Sequence, residues 1–174
     1  ERIAATVRPR DADGAVDESG GRILGLVLGH SNCSMYFRAL QRHLAQQPDK
    51  LHPRFELINA ALGGQQLPEI VGLHGGVWDR AQSLLDRPGY SKQQVQVLFL
   101  HTTYHGANNS RRLPPRPFPE VMQNMQRDLD KVLAFCVERF PNLKIAYLTC
   151  DGFRHFTGFE PHVYQELHFR RSTY

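Results

Sequence analysis

Apolar and polar positions follow two rhythms along the chain. Ile23-Leu24-Gly25-Leu26-Val27-Leu28 is an almost unbroken apolar run, the pattern of a strand buried on both faces in a parallel sheet. It ends in Gly29-His30-Ser31-Asn32 and passes into a helix predicted over 34–46, where Tyr36, Phe37, Leu40 and Leu44 share one face and Pro48 stops the run. A second short strand, Phe55-Glu56-Leu57-Ile58-Asn59, leads into Ala60-Ala61-Leu62-Gly63-Gly64-Gln65. A helix over 77–85 precedes a third strand, Val95-Gln96-Val97-Leu98-Phe99-Leu100. Residues 101–119 then read as a long loop rich in Arg and Pro. The longest helix follows over 120–140, with Met122, Met125, Leu129, Val132, Leu133, Cys136 and Phe140 on one stripe. Pro141-Asn142 turns into a fourth strand over 144–148. Residues 149–174 hold many aromatics and histidines without a period.

Short strands alternating with helices predict an α/β fold with a mainly parallel sheet of at least four strands. Right-handed crossovers are expected, with ligands at the carboxyl ends of the strands. Residues 1–22 are polar and punctuated by Gly14 and Gly20-Gly21, which predicts an extended arm with a turn. Residues 23–174 form one domain, with no internal repeat and no linker.

Composition narrows the function classes. A chain of 174 residues is one domain with room for a core. No apolar run approaches the roughly 18 residues of a membrane-spanning helix, so no transmembrane segment is expected. Lys and Arg number 21 against 17 Asp and Glu, a net charge of +4. That excess is too slight to predict a nucleic-acid partner. Cys33, Cys136 and Cys150 are too few for a disulfide scaffold or a zinc knuckle. A Cys136–Cys150 bridge and three reduced thiols both stay open.

The sharpest chemical candidate is Ser31. It falls between a buried strand and a helix, where unpaired backbone N–H groups at the helix start stabilise a developing oxyanion. The plainer alternative makes Ser31 or Asn32 simply the cap of that helix. Cys33 is an alternative nucleophile, with a buried helix-start thiol as its plain reading. The second strand ends at the same sheet edge in Gly63-Gly64, where a backbone can approach a substrate closely. The third ends in His101-Thr102-Thr103-Tyr104-His105 and then Gly106-Ala107-Asn108-Asn109, offering an Asn amide or an exposed turn.

Ser, Gly and Asn at three successive strand ends resemble the SGNH (GDSL-like) hydrolase superfamily, esterases and lipases on a flavodoxin-like three-layer fold. The family's Gly-Asp-Ser block corresponds to Gly29-His30-Ser31, with His in place of Asp. Its Asn-x-Gly-x-x-Gly block corresponds to Asn59 through Gly64, with Ala61 at the first Gly. Its Gly-x-Asn-Asp block corresponds to Gly106-Ala107-Asn108-Asn109, offset by about five residues from the strand. The chain is more similar still to a group of bacterial secreted members, on Gly29-His30-Ser31-Asn32, Gly63-Gly64-Gln65, Trp78-Asp79, residues 140–148 (Phe-Pro-Asn-Leu-Lys-Ile-Ala-Tyr-Leu) and Glu160-Pro161-His162-Val163-Tyr164. The resemblance implies a serine esterase, with a small ester or acylated carbohydrate as substrate. Ser31 would be the nucleophile, Gly64 and Asn108 the oxyanion donors. It implies no cofactor and a secreted or periplasmic location.

The family's last block, Asp-x-x-His, supplies the general base. Here only Asp151-Gly152-Phe153-Arg154-His155 approximates it, one residue too long and directly after the fourth strand, so Asp151 and His155 are the candidate pair. The chain is therefore expected either to be a fragment or to have kept the scaffold without hydrolysis. In the second case it would be a binding or structural subunit, docking a protein partner through residues 150–174, where Phe153, Phe156, Phe159, Tyr164 and Phe169 gather. The spacing of His101, His105, His155, His162 and His168 fits neither His-Glu-x-x-His nor a Cys/His zinc site, so no metal is expected. Arg111, Arg112 and Arg116, among Pro114, Pro115 and Pro117, read as a solvated loop or a contact for phosphate or an acidic partner. A nucleotide-binding domain ranks third, for no Gly-x-Gly-x-x-Gly follows a strand.

Overall fold

The structure is a computed structural model that describes residues 3–103 and 120–149, apart from the side chains of Val121 and Met122. The strands are β1 (Ile23–Gly29), β2 (Phe55–Asn59), β3 (Val95–His101) and β4 (Ile145–Thr149). The helices are α1 (Ser31–Ala45), α2 (Leu67–Ile70), α3 (Gly76–Leu85) and α4 (Glu120–Arg139). The four strands form one all-parallel sheet in the order β2-β1-β3-β4. This is the α/β three-layer, flavodoxin-like architecture.

Alternation along the central strands divides the core between two faces. Leu24, Leu26 and Leu28 of β1, with Leu98 and Leu100 of β3, pack against Leu67, Ile70, Val77, Trp78, Met125, Leu129, Val132, Cys136 and Phe140. From Met125 to Phe140 the stripe read on the long helix is thus its buried side. Trp78 holds this layer together: its indole N–H donates to Ile70 O at 2.8 Å, and Phe135 meets the ring edge-on at 4.8 Å. The Trp78-Asp79 pair is accordingly a packing feature.

The opposite face is thinner. Val27 packs with Cys33 of α1 and Ala61, and Phe37, Leu57 and Phe99 join at the margin. Cys33 is the one buried side chain of α1. Tyr36, which the period places on the helix's apolar face, is half exposed. The helix begins three residues earlier than its hydrophobic pattern does, because the first turn is set by a cap. The short α2 has too few residues to show a period and was not visible in the pattern.

The amino-terminal edge of the sheet is closed by the arm. Arg10 forms antiparallel bridges to Val16 and Arg22. The buried Gln96 side chain pairs with the Arg8 backbone in both senses, accepting from Arg8 N–H at 3.1 Å and donating to Arg8 O at 2.7 Å. Gln94 donates to Arg10 O at 2.9 Å. Beside them Glu56 joins Arg22 in an ion pair and accepts from the Tyr90 hydroxyl at 2.7 Å. That bond, more than burial, raises the Tyr90 pKa. The side chains of Gln94, Gln96, Glu56 and Tyr90 all have structural partners, so this edge reads as scaffold.

Edge strand β2 is protected as well. Gln41 Nε2 donates to Leu57 O at 2.9 Å and Phe55 N–H to His52 O at 2.9 Å. These bonds occupy backbone groups that an unprotected edge would offer to another chain. No helix among the described residues is long and apolar enough to cross a membrane.

Two measurements check this packing. Gln96→Met keeps the volume but removes both arm bonds, and should cost roughly 1–3 kcal/mol in urea unfolding. Cys136 is unbridged, and burial pushes its thiol up to about 12. An acid whose pKa is raised by folding stabilises the fold fully below its unfolded value and progressively less as pH rises toward the folded one. Alkylation at pH 9 without reductant, read by peptide mass, should therefore leave Cys136 unmodified in the native chain and modify it fully in denaturant. An unreactive Cys136 in denaturant would signal a disulfide instead.

Candidate functional site

The chain leaves β1 toward β2 on one side of the sheet and leaves β3 toward β4 on the other. Neighbouring parallel strands that depart in opposite directions open a crevice at their carboxyl ends, the usual ligand position in open α/β sheets. Gly29 and His101, the last residues of β1 and β3, are register partners there. Gly29 has φ +148°, and a Cβ on it would collide with the His101 carbonyl oxygen and crowd Cys33. Only glycine lets the two strands close at this point.

The next residue begins the helix. His30, buried and extended in backbone, is the cap of α1: Asn32 N–H donates to His30 Nδ1 at 3.3 Å. Neither Ser31 nor Asn32 is the cap, as the plainer sequence alternative held. Ser31 is instead the first helical residue and is exposed. Among the described residues its hydroxyl and its backbone N–H make no hydrogen bond within the chain. Cys33 is buried, its thiol directed at Leu28 O at 3.5 Å. That removes it as an accessible nucleophile.

The second loop runs alongside. Ala60 N–H donates to Val27 O at 3.0 Å and Leu62 N–H to Gly29 O at 2.9 Å, prolonging the β1–β2 pairing past the strand ends. Asn59 fastens the loop to the helix, accepting from Ala61 N–H at 3.2 Å and donating to Ser34 O at 3.2 Å. Ala61, which stands where the SGNH pattern has Gly, fills the space between Val27 and Cys33. Gly64 is exposed at φ +78°, with open space where its side chain would be. Gln65 lies over Gly76 at the start of α3, so closely that a Cβ there would overlap its carboxamide. Gln65 therefore joins two loops and is not turned to the crevice mouth.

From the β3 side the crevice receives His101, 7% exposed. Its Nδ1 is hydrogen-bonded to Thr149 Oγ1, at the end of β4, at 2.8 Å. The His30 ring lies 5.4 Å away, tilted by 41°, and the Tyr36 ring meets it edge-on at 5.5 Å. This histidine–threonine pair escaped the sequence reading, although strand register predicts it: counting back along β3 and β4 sets His101 opposite Thr149. Beyond it the chain turns inward, with Thr102 and Thr103 buried and Thr103 O accepting from Leu67 N–H at 2.9 Å.

The structure thus brings Ser31 and the Gly64 loop to one sheet edge. Asn108, Asp151, His155, the Arg/Pro loop and the aromatic segment 150–174 lie outside the described residues. So do His105, His162 and His168. Among the described residues no group of three or more His, Cys, Asp or Glu could hold a metal ion. A groove of about 310 Å³ opens at the far end of α1, lined by Leu44, Pro48, Leu51, Phe55 and Leu57. Its Gln41 is committed to the β2 edge, and no set of polar groups converges on it, so the crevice is the better site. A scan against protein-family models and a search of curated proteins give no match. The functional reading accordingly rests on the geometry of the crevice.

The cap is open to direct test. His30→Ala removes the acceptor for Asn32 N–H and should destabilise the chain by about 1 kcal/mol, whereas His30→Asp should retain most of the capping energy. Equal losses in thermal unfolding would show that the imidazole acts through its packing on His101 instead.

Proposed function

We propose that the protein is an SGNH-like serine ester hydrolase with Ser31 as its nucleophile, acting on a small ester or an acylated carbohydrate. The observation that carries this reading is the position of Ser31: exposed, first in its helix, and at the switch point of the sheet. The Ser31 N–H at the helix start and the Gly64 N–H in the adjoining loop supply donors for an oxyanion, reinforced by the helix dipole. Asn108 is the third donor that the family resemblance supplies. Chemistry would follow the two-step course of serine esterases. Ser31 Oγ adds to the ester carbonyl as its proton passes to a base, the alcohol leaves with a proton, and water releases the acid. Asp151 and His155 are the base pair that the resemblance suggests. A secreted or periplasmic setting accords with the same resemblance.

One observation favours a second reading, a non-catalytic module of a larger assembly. Ser31 makes no hydrogen bond to either neighbouring imidazole among the described residues. Treatment with a fluorophosphonate decides between them. The hydrolase should gain the adduct mass on the peptide holding Ser31, and Ser31→Ala should lose it together with at least about 10³-fold of p-nitrophenyl acetate hydrolysis. No adduct under conditions that label a control esterase would sink the hydrolase reading and leave the module.

A further inference from the structure

We infer that the groove at the far end of α1 binds a single-chain anionic amphiphile, a free medium-chain fatty carboxylate. The chain lies along the apolar floor and the head group meets a lip of arginines. The site is about 20 Å from Ser31 along α1, so the inference does not rest on the hydrolase reading.

Shape comes first. The groove measures about 310 Å³, at the lower end of the roughly 300–1,000 Å³ of small-ligand sites. That suits one extended chain and not a helix, which is about 10–12 Å across. The floor is already in place. Phe55 and Leu57 lie over Gly25 of β1, so closely that a Cβ on Gly25 would meet Phe55 Cζ at 2.7 Å and Leu57 Cδ1 at 3.2 Å. Hydrogen bonds tie the walls. Gln41 Nε2 donates to Leu57 O at 2.9 Å, Phe55 N–H to His52 O at 2.9 Å and Leu51 N–H to Pro48 O at 3.2 Å. Walls held before binding spare a ligand part of the ordering cost. No polar groups converge on the floor, so the buried part of the ligand must itself be apolar.

Charge decides the head group. Residues 31–55 carry Arg38, Arg42, Lys50 and Arg54 against Asp49 alone. Lys50 and Asp49 share the turn Pro48–Lys50 and offset one another. Arg54 donates to Ser19 O. Arg38 and Arg42 are left: both are exposed, and neither makes a hydrogen bond or ion pair among the described residues. Arg38 stands three residues before Gln41 and seven before Ala45, and Arg42 three before Ala45. Gln41 and Ala45 line the groove, and these spacings put the two arginines on the same side of the helix. A positive lip beside an apolar floor selects an amphiphile with an anionic head, and guanidinium groups pair well with carboxylates.

The test is calorimetric titration of the full chain with decanoate below its micelle concentration. One decanoate should bind per chain, and each methylene added from hexanoate to decanoate should tighten binding about fourfold. Decyltrimethylammonium, the same chain with a cationic head, should bind more weakly. Ala45 lines the groove from an exposed position, so Ala45→Trp fills it without entering the core and should lower decanoate affinity by at least about tenfold. The double variant Arg38→Glu, Arg42→Glu should weaken decanoate about tenfold and tighten decyltrimethylammonium. Absence of decanoate binding would overturn the inference. So would wild-type affinity in folded Ala45→Trp, or equal affinity of the wild type for both head groups. Association with phosphatidylglycerol vesicles without decanoate binding would overturn it in favour of a membrane-facing surface. If Ala45→Trp does not fold, the arginine pair decides alone. Fluorophosphonate labelling of Ser31 bears on none of these outcomes, so the two readings fail separately.

Discussion

The carboxyl edge of the sheet depends on the contact between Gly29 and the His101 backbone. A side chain at residue 29 has no place to go, so β1 and β3 meet there at full closeness. From that one approach three geometries follow. The Gly29 carbonyl receives Leu62 N–H and so draws the second loop alongside. The chain turns at once into α1, placing Ser31 above the crevice. The His101 ring, carried on the closely held strand, comes under His30 and Tyr36. Moving the two strands apart would disturb all three, although none of them shares a side chain with the contact.

The two ends of the sheet are treated differently. At the amino-terminal edge polar side chains are consumed by the fold: Gln94 and Gln96 complete the backbone of the arm, and Glu56 joins Arg22 and Tyr90. Buried amides without partners would be costly there, and the arm supplies those partners. At the carboxyl edge the Ser31 hydroxyl, the Ser31 N–H and the Gly64 loop face outward. The face of the sheet under α1 is thin where the other is deep. Tyr36 and Tyr147 are half exposed. The carboxyl edge thus combines buried polar side chains, His30, His101, Thr102 and Thr103, with the exposed Ser31 and Gly64.

The sequence pattern carried the architecture because buried parallel strands are continuous apolar runs, and those runs leave little ambiguity. Residues 23–28 and 95–100 match the central strands to within one residue. The stripe on the long helix likewise marks the side that packs on the sheet. Local capping was less legible. The hydrophobic period of α1 starts after its first turn, and histidine is not among the preferred caps, so the true start at Ser31 was hidden. Ser31 and Gly64 could be placed at one edge from strand ends alone. The His101–Thr149 bond could not, because it needs strand order and register, which no local pattern contains. Asn108, Asp151 and His155 were chosen by family likeness, and their geometry lies outside the described residues.

Histidine in place of aspartate before the serine has an electrostatic consequence. A carboxylate at the cap of α1 would bring a negative charge to the helix N-terminus and offset the positive end of its dipole. His30 accepts from Asn32 N–H through Nδ1, so an imidazole nitrogen caps the helix in place of a carboxylate. The potential of the first turn is then left for another anion. On the hydrolase reading that anion is the oxygen that develops charge beside Ser31. On that reading, histidine where the SGNH pattern has aspartate is compatible with catalysis. The stabilising burden would then fall on the backbone of the helix start, where donors are fixed in place before any reaction begins.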